Sequence, residues 1–139
     1  PRSAEAFSNI NKGGYILSEC QGEPEAIIIA TGSEVELGVT AAQHLAAEGV
    51  QVRVVSMPCV ELFTAQDQAY RDQVLLPGVR ARVAVEAGHP DSWYKFVGLD
   101  GAVVGIDRFG LSAPGAQAMA ELGMTVDAVV AATKRVIGH

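Results

Sequence analysis

The sequence predicts a single α/β domain wound as strand, helix, strand, and three observations carry that expectation. Short unbroken apolar runs such as Ala26 to Ala30 have the composition of strands covered on both faces, as in a parallel sheet. An amphipathic helix with its own start and stop residues follows that run at once. The chain has 139 residues, of which 49% are hydrophobic, enough for one sizeable core and too few for two ordinary domains.

Residues 1–12 are polar and aperiodic and read as a linker remnant, which assigns the domain to residues 13–139. Gly13-Gly14 opens a first strand from Tyr15 to Glu19, and Gly22 with Pro24 marks the turn after it. Only a few residues separate this strand from the Ile27 run, whereas a parallel crossover needs about a dozen or more. The first strand is therefore expected to run antiparallel or to lie apart in the sheet. Ala26 to Ala30 is the second strand and ends in the turn Thr31-Gly32-Ser33. Ser33 is expected to cap the next helix in a capping box with Glu36, and Gly49 to stop it in the left-handed conformation. Between them Val35, Gly38, Val39, Ala42, Leu45 and Ala46 share one stripe, with Gly38 allowing close approach to the sheet.

Val50 to Ser56 is the third strand, ended by Met57-Pro58. A helix from Ala65 to Val74 closes before Pro77, and Val79 to Ala87 carries the fourth strand. Ser92 to Val97 forms a short helix and Ala102 to Ile106 the last strand. Ser112 caps a helix with Pro114 in its first turn, and Gly123 ends it. Thr125 caps the final helix, whose apolar stripe is Val126, Val129, Val130, Thr133 and Ile137. Lys134 and Arg135 fall in its last turn, at the negative end of the helix dipole.

Composition excludes several function classes. A net charge of −6 supplies no basic patch for nucleic acid or for a membrane surface. No run approaches the roughly 18 apolar residues of a membrane span, and the first residues lack the pattern of a signal peptide, so a cytoplasmic location is expected. Cys20 and Cys59 lie far apart with neither disulfide-framework nor zinc-ligand spacing, and no metal-binding residue is assigned.

In an open α/β sheet, ligands bind outside the carboxyl ends of the strands. Those ends bring forward Thr31, Gly32, Ser33, Glu86, His89 and Arg108 as a candidate site for a small anion or effector. The competing reading makes Ser33 and Glu36 a cap and Glu86 with Arg108 an ion pair or a contact to a neighbouring domain; caps and structural pairs are the commoner arrangement. Thr31-Gly32-Ser33 has neither the spaced glycines of a dinucleotide fold nor a phosphate-loop lysine. Cys59, after a strand end, is a nucleophile only if a helix N-terminus lowers its pKa; with no histidine near it in sequence, a small apolar thiol is the plainer reading. Trp93, Tyr94 and Phe96 crowd one segment and fit either an interface or the satellite core of a long loop.

At Ala30 to Glu36 (ATGSEVE), Val54 to Tyr70 (VVSMPCVELFTAQDQAY), Arg82 to Gly98 (RVAVEAGHPDSWYKFVG) and Phe109 to Pro114 (FGLSAP), the chain resembles the C-terminal domain of bacterial transketolase. The resemblance runs in order from Gly13 to the end. It implies a three-layer α/β/α sandwich whose mixed five-stranded sheet has its first strand antiparallel. It also implies a parent transferase of the pentose phosphate pathway, a cytoplasmic homodimer that uses thiamine diphosphate with Mg²⁺ or Ca²⁺. Such an enzyme moves a two-carbon ketol unit from a ketose phosphate to an aldose phosphate.

The same resemblance places the cofactor outside this chain. Holding the metal and diphosphate takes a Gly-Asp-Gly with a downstream asparagine. Gly98-Leu99-Asp100-Gly101 is not that motif, and the only asparagines, Asn9 and Asn11, lie upstream. No catalytic or cofactor-binding residue is carried over, so the isolated chain is expected to be inactive. Its implied role is subunit assembly with the other transketolase domains and a second subunit, the alternative being a regulatory small-anion module. Two positions depart from the family: Leu111, where a small or polar residue is usual, and Gly115-Ala116-Gln117-Ala118, which lacks the bulkier helix residues expected there.

Overall fold

The computed structural model describes residues 12–86, 94–105 and 125–138. Five strands, β1 (Tyr15–Ser18), β2 (Ala26–Ala30), β3 (Val52–Ser56), β4 (Arg82–Glu86) and β5 (Ala102–Gly105), form one sheet in the order β1-β3-β2-β4-β5. All neighbours pair in parallel except β1, which runs antiparallel on the outer side of β3. The short first connection is thus accommodated twice over: β1 is antiparallel, and β3 separates it from β2.

The described helices are α1 (Val35–Ala47), α2 (Val60–Thr64), α3 (Gln68–Val74), α4 (Tyr94–Val97) and α5 (Val126–Ile137). Because side chains alternate across a strand, each apolar run feeds two cores. Ala26, Ile28, Ala30, Val54, Val83 and Val85 face one way and meet Ala41 and Leu45 of α1 with Val129 and Val136 of α5. Ile27, Ile29, Val55 and Ala84 face the other way and meet Phe63 of α2, Tyr70 and Val74 of α3 and Val97 of α4. The result is a three-layer α/β/α sandwich, and its double covering is the reason β2 reads as uninterrupted apolar sequence.

Gly38 on α1 is buried against the sheet, and a Cβ there would lie 3.2 Å from Ile28 Cγ2 and 3.5 Å from Ala30 Cβ. Its missing side chain is what lets α1 sit this low. The buried stripe is Gly38, Ala41, Ala42 and Leu45; Ala46, expected on it, is exposed, and Ala41 takes its place. Gly49 ends α1 at φ 85°, with Val50 N donating to Leu45 O at 2.9 Å and Gly49 N to Ala46 O at 3.0 Å. That pair of bonds is a Schellman stop. Thr125 caps α5 as expected, its hydroxyl accepting from Ala128 N at 3.1 Å.

Two expectations are corrected. The cap position of α1 falls on Glu34 and not on the expected Ser33: residues Gly32–Glu34 form a 3-10 turn in which Glu34 N donates to Thr31 O. A tightened first turn satisfies orphan amides with backbone carbonyls, which displaces the cap by a residue. The helix expected from Ala65 to Val74 begins only at Gln68, as α3: Ala65–Asp67 separate it from the short helix α2 before it, and the Asp67 carboxylate accepts from Tyr70 N at 2.8 Å to start it. The helix expected over residues 112–123 lies outside the described residues.

Candidate functional site

The parallel strands end level with one another: Ala30 pairs with Ser56 across β2 and β3, and Glu86 with Gly105 across β4 and β5. At this edge the chain leaves β2 through Thr31, in extended conformation, and Gly32, at φ 57°. Gly32 is exposed, and the turn carries it directly into α1. The positive φ is accessible to glycine at little cost, which explains the Thr-Gly-Ser order.

Glu34, which sequence reasoning passed over, is buried at this turn, with Oε2 3.8 Å from where a Cβ on Gly32 would stand. The beginning of α1 therefore already has a carboxylate beside it, and a negative group is what a helix N-terminus favours. The only sequence sign of this was the position of Glu34 one residue after the expected cap. The side chains of Ser33, Glu86 and Tyr94, and all of His89, Trp93 and Arg108, lie outside the described residues. Of the six candidate anion-site residues, the structure thus places Thr31 and Gly32 together with the backbone of Ser33 and of Glu86.

Phe96 packs edge-on against Phe63, with ring centroids 6.1 Å apart, and joins the core beneath α2 and α3. Cys59 occupies the N-cap position of α2, and its Sγ lies 3.6 Å from Glu61 Oε2, a carboxylate in place of the base a nucleophile needs. Burial and the Glu19 carboxylate both push the Cys20 thiol up from its ordinary range, away from thiolate at neutral pH.

Two adjoining grooves lie on the α2–α4 face of the described region. One of about 310 Å³ is lined by Phe63, Gln68, Arg71, Arg82 and Phe96, and an adjoining one of about 180 Å³ by Arg80, Arg82, Lys95 and Asp100. Arg82 stands between them but is fully engaged: its guanidinium donates to the carbonyls of Val79, Phe96, Leu75 and Leu76. Burial lowers its pKa, partly countered by Asp72. Asp100 is paired with Arg80. Among the described residues no three histidine, cysteine or carboxylate side chains gather where a metal ion could be held, and no helix is long and apolar enough to cross a membrane.

Comparison with known proteins bears on the whole chain. The family described as "Transketolase-like TK C-terminal domain" matches residues 13–125. Transketolase 1 of Escherichia coli (strain K12) is 57% identical over 136 residues, which are 98% of this chain and 20% of that protein. Transketolase 1 of Vibrio vulnificus (strain YJ016) is 55% identical over 137 residues, 99% of this chain and 21% of the relative. Among solved structures, transketolase from Leishmania mexicana superposes with a TM-score of 0.86 at 39% identity, covering 99% of this chain and 20% of that one. The chain spans about one fifth of the length of the curated relatives it matches.

Proposed function

Because the chain belongs to the transketolase C-terminal domain family, we propose that it acts as the non-catalytic C-terminal domain of a transketolase and supports the assembly of that enzyme's subunits. In this reading the parent transfers a two-carbon ketol unit between sugar phosphates in the pentose phosphate pathway, as a cytoplasmic homodimer using thiamine diphosphate and Mg²⁺ or Ca²⁺. One observation supports it most: a family match over residues 13–125, within an aligned segment that is a fifth of its relatives.

The sequence lacks the Gly-Asp-Gly and downstream asparagine that would hold the cofactor's metal and diphosphate. Asp100, the sole carboxylate of Gly98-Leu99-Asp100-Gly101, is committed to Arg80, and no asparagine follows it to hold a diphosphate metal. Calorimetry of the chain with thiamine diphosphate and magnesium should give no binding heat, and micromolar affinity would sink the proposal. The assembly role is tested by sedimentation of the parent enzyme with and without residues 13–139: the truncated form should dissociate, and a dimer of unchanged stability would remove that role.

A second reading, a regulatory module for a small anion, draws on the level strand ends and the exposed Gly32 turn. The buried Glu34 carboxylate weighs against it. It predicts that Ser33→Ala with Arg108→Ala abolishes an effector response of the parent; an unaltered response ends it.

A further inference from the structure

Lys12, Gly13 and Gly14 enter the domain at an unusual place. Because β1 is antiparallel and Tyr15 pairs with Ser56, the residues before β1 lie at the carboxyl-end edge of the parallel strands, where Met57 to Cys59 leave β3. A Gly-Gly pair in solvent is a flexible tether. Here both glycines are buried.

Gly13 adopts φ 86°, and a Cβ on it would fall 2.4 Å from Cys59 O and 2.5 Å from Phe63 N. A Cβ on Gly14 would fall 2.5 Å from Met57 Sδ and 2.8 Å from Phe63 Cδ1. The glycines thus serve close approach of backbone to α2 and leave no freedom of movement. Three bonds hold them: Cys59 N donates to Gly13 O at 3.0 Å, the Tyr70 hydroxyl donates to Gly14 O at 2.7 Å, and Lys12 Nζ sits 4.3 Å above the Tyr70 ring. Tyr70 is itself buried and packs edge-on against Phe63. Cation, ring, hydroxyl and the two glycines form one connected clamp between the chain's approach and α2–α3.

We propose that Lys12–Gly14, seated on α2 and α3 through Tyr70, is a rigid joint that brings the polypeptide preceding Lys12 to the carboxyl-end edge of the sheet. The joint rests on the reading of this chain as one domain of a longer polypeptide. It makes the carboxyl-end edge of the sheet the side at which the chain enters the domain.

The test uses the full polypeptide. The Lys12–Gly13 bond should resist trypsin under conditions that cut a short peptide of the same sequence, and the Cys59 amide should exchange slowly. Tyr70→Phe keeps the ring and removes the bond to Gly14, so cleavage after Lys12 and Cys59 exchange should each accelerate about tenfold, the factor one buried hydrogen bond supplies. Lys12→Gln, read by Cys59 exchange alone, should accelerate it about threefold and decides the matter if the first variant is unfolded. Cleavage of the unsubstituted protein at the peptide's rate, or exchange indifferent to both variants, would overturn the joint. Sedimentation of the parent enzyme with and without residues 13–139 reports the assembly role separately, so a dimer indifferent to the truncation, beside a joint intact in the full polypeptide, would refute that role and leave this inference standing.

Discussion

Arg53 and Arg82 flank Ile27 in one row across the sheet, Arg53 paired with it from β3 and Arg82 from β4. Between them they donate to four consecutive carbonyls at the end of α3: Arg53 to Gln73 and Val74, at 2.8 and 3.1 Å, and Arg82 to Leu75 and Leu76, at 3.3 and 2.9 Å. A helix leaves its last carbonyls without partners and its C-terminus partly negative, so two guanidinium groups there answer both needs. Arg53 is 7% exposed and also holds the Glu19 carboxylate through two bonds, at 3.1 and 2.7 Å, which ties the end of β1 to the same point.

The arrangement predicts coupled stability losses. Arg53→Met and Arg82→Met should each cost about 2–4 kcal/mol in urea unfolding, since carbonyls that had charged donors are left unpaired. Releasing the end of α3 by one substitution weakens the hold of the other, so the double variant should lose less than the sum. Additivity to within about 0.5 kcal/mol would show that the two act independently.

Close packing of α1 gives a steric prediction. Gly38→Val inserts three carbons where a single Cβ would already be 3.2 Å from Ile28 Cγ2. It should destabilise by about 2–3 kcal/mol on thermal unfolding, overpacking outweighing the gain of about 0.5 kcal/mol in helix propensity. A neutral Gly38→Val would mean that α1 moves freely over the sheet.

Tyr70 sets an alkaline limit. Burial raises its hydroxyl pKa above the ordinary tyrosine value of about 10. The folded form then holds its proton where the unfolded form loses it, so this contribution is complete below about pH 10 and declines as pH rises towards the folded-state pKa. Denaturant midpoints between pH 9 and 11 should fall in the parent and fall less in Tyr70→Phe. Equal slopes in the two proteins would exclude Tyr70 as the source.

Surface and cap contrast with the buried arginines. Lys134 Nζ meets Glu48 Oε1 at 2.7 Å, but both side chains are about half exposed. Lys134→Ala should therefore change stability by less than about 0.5 kcal/mol. Asp67→Ala and Thr125→Ala, which each strip an accepting oxygen from a helix start, should cost about 1 kcal/mol apiece. A larger effect from Lys134→Ala than from either cap would reverse this ranking.

Much of the fold was legible in residue order, and the candidate site far less so. The strand positions, the covered sheet and the stop at Gly49 follow from apolar runs and glycine placement. The cap position moved from Ser33 to Glu34 because Ser, Glu and a following helix are compatible with either a capping box or a 3-10 entry, and local sequence does not choose between them. Glu34 received no assignment from the sequence and is buried at the turn that follows β2.

By itself the sequence determined what depends on near neighbours: the unbroken apolar runs of the covered strands, most of the apolar stripes of α1 and α5, the Thr125 cap and the positive φ of Gly49. Tertiary structure alone decided the order β1-β3-β2-β4-β5, the joining of Arg53 and Arg82 at α3, and the seat of Gly13 and Gly14 on α2. The physical reason is common to all three. Each is a pairing between groups separated by many residues, chosen by which surfaces meet when the sheet closes, and propensity and periodicity carry information only over the few residues that share a turn or a strand.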